Sequence, residues 1–239
     1  MSNPAGRLHA ILTRCRDKSL VNKPTPQAWQ IILNCPNTED LALFNKLGKV
    51  FILPEQTSLQ IARFEDLDRD LFLGWRPDLT AAFKRFNFQN QFNDFASQLS
   101  DSLLINIKFC DHELEKRAPE KDVKREDLSE IITLARQLFD AVLAAKDLPP
   151  ALLQYLLTQL YLIIEAIDDY DITGPGAVQR SVEATVGTIF TQNAVAVEAR
   201  KTSVGAQLWD LVGKLAFILK VSKGVLELVD KVKEMLPPP

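Results

Sequence analysis

The chain has 239 residues, 46% of them hydrophobic and 25% charged, which is enough apolar material for a buried core and excludes wholesale disorder. Twenty-eight Lys+Arg against 31 Asp+Glu leave a formal charge of −3, without the basic excess of proteins that live on nucleic acid, and no nucleic-acid partner is expected. Only nine glycines are present and the aromatics are mostly phenylalanine, so turn-rich sandwiches and barrels are disfavoured and an all-α fold is expected.

Residues 1–37 carry Arg7, Arg14, Arg16, Lys18 and Lys23 against Asp17 alone. Met1 to Leu12 has no apolar stretch of the secretory kind. Thr25-Pro26 reads as a helix cap followed by proline at the first helical position, opening Gln27 to Asn34. Thr38-Glu39-Asp40 repeats the pattern, with acids where the helix dipole favours them. Leu41, Phe44, Leu47 and Phe51 follow at helical spacing, and Pro54 is expected to end or kink that helix. A further helix is expected from about residue 56 to 73, with Leu59, Ala62, Phe64 and Leu67 as candidates for its core face.

Pro77-Asp78 opens a short helix to about Phe86. The stretch from Phe86 to Phe92 is an Asn- and Phe-rich loop, either anchored in the core by its rings or presenting them to a ligand. A long helix is expected over 93–117, with Phe92, Phe95, Leu99, Leu103, Ile107 and Cys110 as its stripe. The polar run 118–127 is the best linker in the chain, dividing an N-terminal helical part, 1–117, from a C-terminal one, 128–239; the two also read as one compact domain.

Leu128, Ile131, Ala135, Leu138, Val142 and Ala145 step by three and four. Pro149 and Pro150 start a helix over 151–170 that is apolar nearly all round and belongs in the centre of a bundle. The uncharged stretch 148–164 is at the bottom of the membrane-spanning length and fits a core helix better. Between 128 and 172 two basic residues face seven acidic ones, opposite in sign to the N-terminus. A smaller helix rich in Ala, Val and Gly is expected over 176–192. The last pattern is the longest: Leu208, Leu211, Leu215, Ile218, Ser222, Val225, Val229, Val232 and Leu236 predict one amphipathic C-terminal helix with a coiled-coil seam. The whole therefore reads as an all-α bundle of roughly eight to ten helices.

Standard chemistries are thinly supplied. Only His9 and His112 exist, and in Cys110-Asp111-His112-Glu113 adjacent helical residues point about 100° apart, so the run closes no metal site. Glu165, Asp168 and Asp169 are the remaining weak metal candidates, at a helix end without Lys or Arg nearby in sequence. Phosphate-loop, dinucleotide, nucleophile-elbow and CxxC motifs are absent, and no cofactor is expected. Cys15, Cys35 and Cys110 have no framework spacing and read as reduced thiols of a cytoplasmic protein.

The run from Leu148-Pro-Pro-Ala-Leu-Leu-Gln-Tyr to Ile164-Glu-Ala-Ile-Asp-Asp-Tyr, then Ile172-Thr-Gly-Pro-Gly-Ala-Val, resembles a group of uncharacterised bacterial helical proteins, as does Leu67-Asp-Arg-Asp-Leu-Phe-Leu-Gly-Trp75. The resemblance covers most of the chain through packing motifs; it implies a helical fold and transfers no activity. The expected function is a non-catalytic cytoplasmic interaction protein, such as an accessory or immunity component of a bacterial defence system. A protein partner, or a second copy, is expected on Leu208, Leu211, Leu215, Ile218, Val225, Val229 and Val232. The alternatives are a membrane-active helical effector built on 148–164 and 207–236, and a metal-dependent enzyme with a dispersed carboxylate site.

Overall fold

The computed structural model describes residues 3–35, 40–121 and 123–220, together with residue 227. The described residues are all-α and fall into two compact units, divided between Glu120 and Lys121. The boundary lies inside the polar run 118–127.

The N-terminal unit is built on α1 (Pro4–Cys15), which packs against α2 (Thr25–Ile32), α3 (Asp40–Ile61) and α7 (Asp101–Arg117). Asn3 caps α1 through its side chain, accepting from Gly6 N–H at 3.0 Å, while its amide donates to the carbonyl and carboxylate oxygens of Asp111. One asparagine thus closes a helix end and ties α1 to α7. Arg7, buried on α1, meets Glu120 at 2.6 Å, which fixes the end of the unit to its central helix.

The expected cap at Thr25 is not used. Thr25 is the first residue of α2, and its hydroxyl donates to Asn90 carbonyl at 2.9 Å. Thr38 lies outside the described residues. Pro54 does not end its helix; α3 runs through it to Ile61, because a single missing N–H is a local loss in a helix held by tertiary packing. Thr57 and Ser58 hydroxyls donate to the Leu53 and Pro54 carbonyls just beyond it.

Short helices α4 (Arg69–Leu73), α5 (Arg76–Lys84) and α6 (Asn93–Ala96) follow. The long helix expected over 93–117 is broken at Ser97–Ser100. Ser100 is a true cap, accepting from Leu103 N–H at 3.1 Å, and it starts α7 afresh. The stripe itself is placed as expected: Phe92, Phe95, Leu99, Leu103, Ile107 and Cys110 are all buried.

The C-terminal unit comprises α8 (Arg125–Ala144), α9 (Pro150–Asp168), α10 (Tyr170–Thr173), α11 (Pro175–Thr191), α12 (Asn193–Arg200) and α13 (Ser203–Leu219). α9 packs against each of the other five. Its Leu152, Leu156, Leu160, Ile163 and Ile167 join Leu128, Ile131, Ala135, Leu138 and Val142 of α8 in one core. That core is closed by Trp209, with Leu208, Leu211, Val212 and Leu215, from α13.

The C-terminal helix differs from the sequence expectation. It begins at Ser203, capped by Thr202, whose hydroxyl accepts from Gly205 N–H at 3.1 Å. It stops at Leu219, where Lys220 turns left-handed at φ 49°. Lys121 Nζ donates to the Lys220 carbonyl at 2.9 Å.

Candidate interaction surface

The polar candidates do not assemble into a site. Asp168 is held by Arg136, whose guanidinium reaches both carboxylate oxygens at 2.7 and 2.9 Å. Asp169 is buried at the α9–α10 corner, where its carbonyl accepts from Ile172 and Thr173 N–H. Glu165 lies one turn back and half-buried. Among the described residues no three His, Cys, Asp or Glu side chains gather as metal ligands. His112 and Glu115 are exposed on α7, while neighbouring Cys110 points inward.

The three cysteines are buried and unpaired with one another. Burial pushes the Cys15 thiol far above its ordinary range. Burial also pushes Cys110 up, to about 11. Cys110 Sγ donates to the Phe72 carbonyl at 3.1 Å. Neither group is a nucleophile at neutral pH. The native protein is expected to leave Ellman's reagent unreduced at pH 8 over minutes and to titrate three thiols once unfolded in denaturant.

His9 is held below its ordinary pKa by partial burial, then by the Lys108 ammonium, with Asp111 opposing. Its neutral form is therefore favoured in the fold. Below the unfolded pKa of about 6.5 the unfolded chain binds more protons, so stability falls as pH drops through this window. Denaturant midpoints at pH 7.5 and 5.5 should differ less in His9→Gln than in the wild type.

The predicted seam on the last helix is directed inward. Leu208, Leu211 and Leu215 are buried in the C-terminal unit's own core, and Ile218 packs against it. Val225, Val229 and Val232 lie outside the described residues. On α13 the outward apolar side chain is Phe217, 77% exposed. Beside it a shallow groove between α8 and α13 is lined by Leu134, Gln137, Gln207, Asp210 and Lys214.

A larger apolar surface lies on α3. The helix buries Leu43, Leu47, Val50, Leu53 and Thr57 on one side. At 100° per residue the opposite side is Leu41, Phe44, Asn45, Gly48, Ile52, Glu55 and Leu59, and all seven are exposed. Leu41 is 84% exposed, Ile52 53% and Leu59 61%. Sequence reading paired Leu41, Phe44 and Phe51 with Leu47 and offered Leu59 for a core; of these only Leu47 is buried. Because both sides of α3 carry apolar residues, periodicity alone does not separate its core face from its outer face.

The Phe86–Phe92 loop supplies a second part of the surface and is anchored in the core by its last ring. Phe92 is fully buried against Trp29, with ring centroids 5.9 Å apart. Phe86 and Phe88 are half-buried and extend the cluster outward. Phe86 stacks edge-on against Phe51 at 5.6 Å and against Phe88 at 4.8 Å, and Phe88 reaches Phe44 at 4.9 Å. The loop is strapped to the 21–25 segment: Asn90 carbonyl accepts from Thr25, and Phe92 and Asn93 N–H donate to Lys23 and Val21 carbonyls. An aromatic ladder therefore runs from Trp29 in the core to Phe44 beside the outward face of α3.

Gly48 sits mid-way along that face. A Cβ added there meets nothing within 4 Å, so the fold itself does not need glycine at this position. Mid-helix glycine costs about 0.5–1 kcal/mol relative to alanine. Lys46 and Lys49 flank the face half-buried, and Glu55 is paired with Arg76 at 2.6 Å. No family model matches the chain, and no curated protein or solved structure does either.

Proposed function

We propose that the protein is a non-catalytic interaction protein whose partner seats on the outward face of α3 and the phenylalanine loop beside it. The observation that carries this reading is that α3 remains apolar on the side it turns to solvent. A solvated helix face is ordinarily polar, and contiguous exposed apolar patches of several hundred Å² mark binding surfaces. The aromatic ladder behind the patch holds Phe44 and Phe51 from below, so the surface is preformed and loses little entropy on binding. The C-terminal unit contributes Phe217 and the α8–α13 groove as a separate, smaller surface.

The reading places the protein in the cytoplasm, as an accessory or immunity component of a bacterial defence system, with a protein rather than a small molecule as its ligand. Affinity capture of the tagged chain from its native cells, read by mass spectrometry, tests it. A stoichiometric protein is expected with the wild type and is expected to be lost with Ile52→Glu. Equal capture by both variants would move the binding surface elsewhere.

One observation favours a second reading, a membrane-active effector. Among the described residues α9 is the one helix long and apolar enough to cross a membrane, though much of it is buried in its own unit. Insertion therefore requires the C-terminal unit to open. Co-sedimentation with anionic vesicles across pH separates the two readings, since the interaction protein stays in the supernatant.

A further inference from the structure

We infer that the outward face of α3 takes a second copy of this chain, the two α3 helices packing antiparallel about a two-fold axis that crosses the outward face at the level of Val50. The inference rests on the reading of this face as a binding surface and names its occupant.

In a two-fold antiparallel pair, residues equidistant from the axis lie opposite one another. About Val50, Leu41 meets Leu59 of the second copy, and Gly48 meets Ile52. Each contact except any on the axis occurs twice. The two ends and the middle of the face thus find apolar counterparts in one register, while Glu55 keeps Arg76 of its own chain.

Gly48 supplies an independent observation. It is a mid-helix glycine whose added Cβ meets no described atom within 4 Å, as at Gly187 on α11, so packing among the described residues does not require it. Opposite Ile52 it becomes a hole for a knob and permits the close end of the usual 8–10 Å interhelical distance. Area agrees. The outward apolar side chains of α3 expose on the order of 500 Å², the size of the largest patch on an ordinary monomer. Two such faces bring roughly 1,000 Å² together, the lower bound for a specific interface, so a reversible dimer is expected rather than a permanent one.

The test uses the full chain. Light scattering coupled to size exclusion, across a roughly hundredfold concentration range, should show monomer passing to dimer by mass action. Ile52→Glu should remain monomeric with an unchanged melting curve at the dilute end, since position 52 is exposed. A Gly48→Cys chain mixed with an Ile52→Cys chain should form a disulfide-linked dimer faster than either chain alone, and faster than Leu71→Cys, an exposed control on α4; the native thiols are buried. A wild type that stays monomeric throughout, an Ile52→Glu variant that dimerises like wild type, or cross-linking no faster than the control overturns the inference. A monomeric wild type whose Ile52→Glu variant loses a different captured protein overturns the dimer alone and leaves the interaction reading standing.

Discussion

Gly205→Ala should unfold the C-terminal unit at a temperature at which the N-terminal unit is intact. A Cβ at this position would lie 1.9 Å from the Ala199 carbonyl oxygen and 2.5 Å from its carbon. Both are backbone atoms and neither can rotate away. The same carbonyl accepts from Thr202 N–H at 3.0 Å and from the Thr202 hydroxyl at 2.7 Å, and that hydroxyl in turn caps α13 through Gly205 N–H. Alanine must therefore separate α12 from α13 and break the cap together. Trp209, fully buried one turn further on, moves with it. A cost on the order of 3–5 kcal/mol is expected, the range reached when backbone clash and lost capping coincide. Hydrogen exchange should accelerate over 121–220 and stay unchanged over 3–120; a uniform change across both units would contradict the division at 120. Gly6→Ala is the milder comparison, because its added Cβ meets the carboxylate of Asp111, a side-chain end that can shift.

Trp29→Ala carries the second large effect. Trp29 is fully buried, and its ring lies within 5.6–6.1 Å of Phe86, Phe92 and Phe95. Removing it deletes the root of the ladder and leaves a cavity that three rings cannot fill without moving, for a loss of about 3–5 kcal/mol. The outcome separates support from contact. Trp29→Ala should lower the melting temperature and, where the chain still folds, release the 86–92 loop, seen as faster exchange there. Phe44→Ala, half-exposed at the other end of the ladder, should leave the melting temperature within a degree or two while weakening association. If both variants melt alike, the ladder does not transmit support from the core to the surface.

How much of this was legible in the sequence differs by element. Where a helix has one apolar side, period alone placed it. On α8, Leu128, Ile131, Ala135, Leu138 and Val142 are all inward, as their three–four stepping requires. Punctuation was less secure, because a capping-type residue followed by proline serves different ends. Asn3-Pro4 is a working cap, whereas Thr25-Pro26 turns its hydroxyl to the carbonyl of Asn90, sixty-five residues away, a partner no local reading supplies. Pro54 was read as ending or kinking its helix; it does not end it, and the packing of Leu43 to Thr57 holds α3 through it to Ile61. The last helix was overread: the heptad pattern crosses Lys220, but the backbone turns there.

The candidate surface was the least legible part. The seam chosen for a partner, Leu208 to Leu215, is the side of α13 that closes its own core. The face now proposed, Leu41 to Leu59, carries no sequence signal beyond being apolar on two sides and containing Gly48. That glycine was the available clue: an exposed mid-helix glycine is a cost that packing within its own unit does not explain.

The hydrogen bond from Lys121 to the Lys220 carbonyl has a further consequence for how the C-terminal unit can be handled. Its first described residue and the end of its last helix touch, although ninety-nine positions separate them. The described stretch 121–220 therefore begins and finishes at one place. A break in the chain at the polar turn 145–149 would leave α8 held by its packing against α9 and α13 rather than by its covalent link to α9.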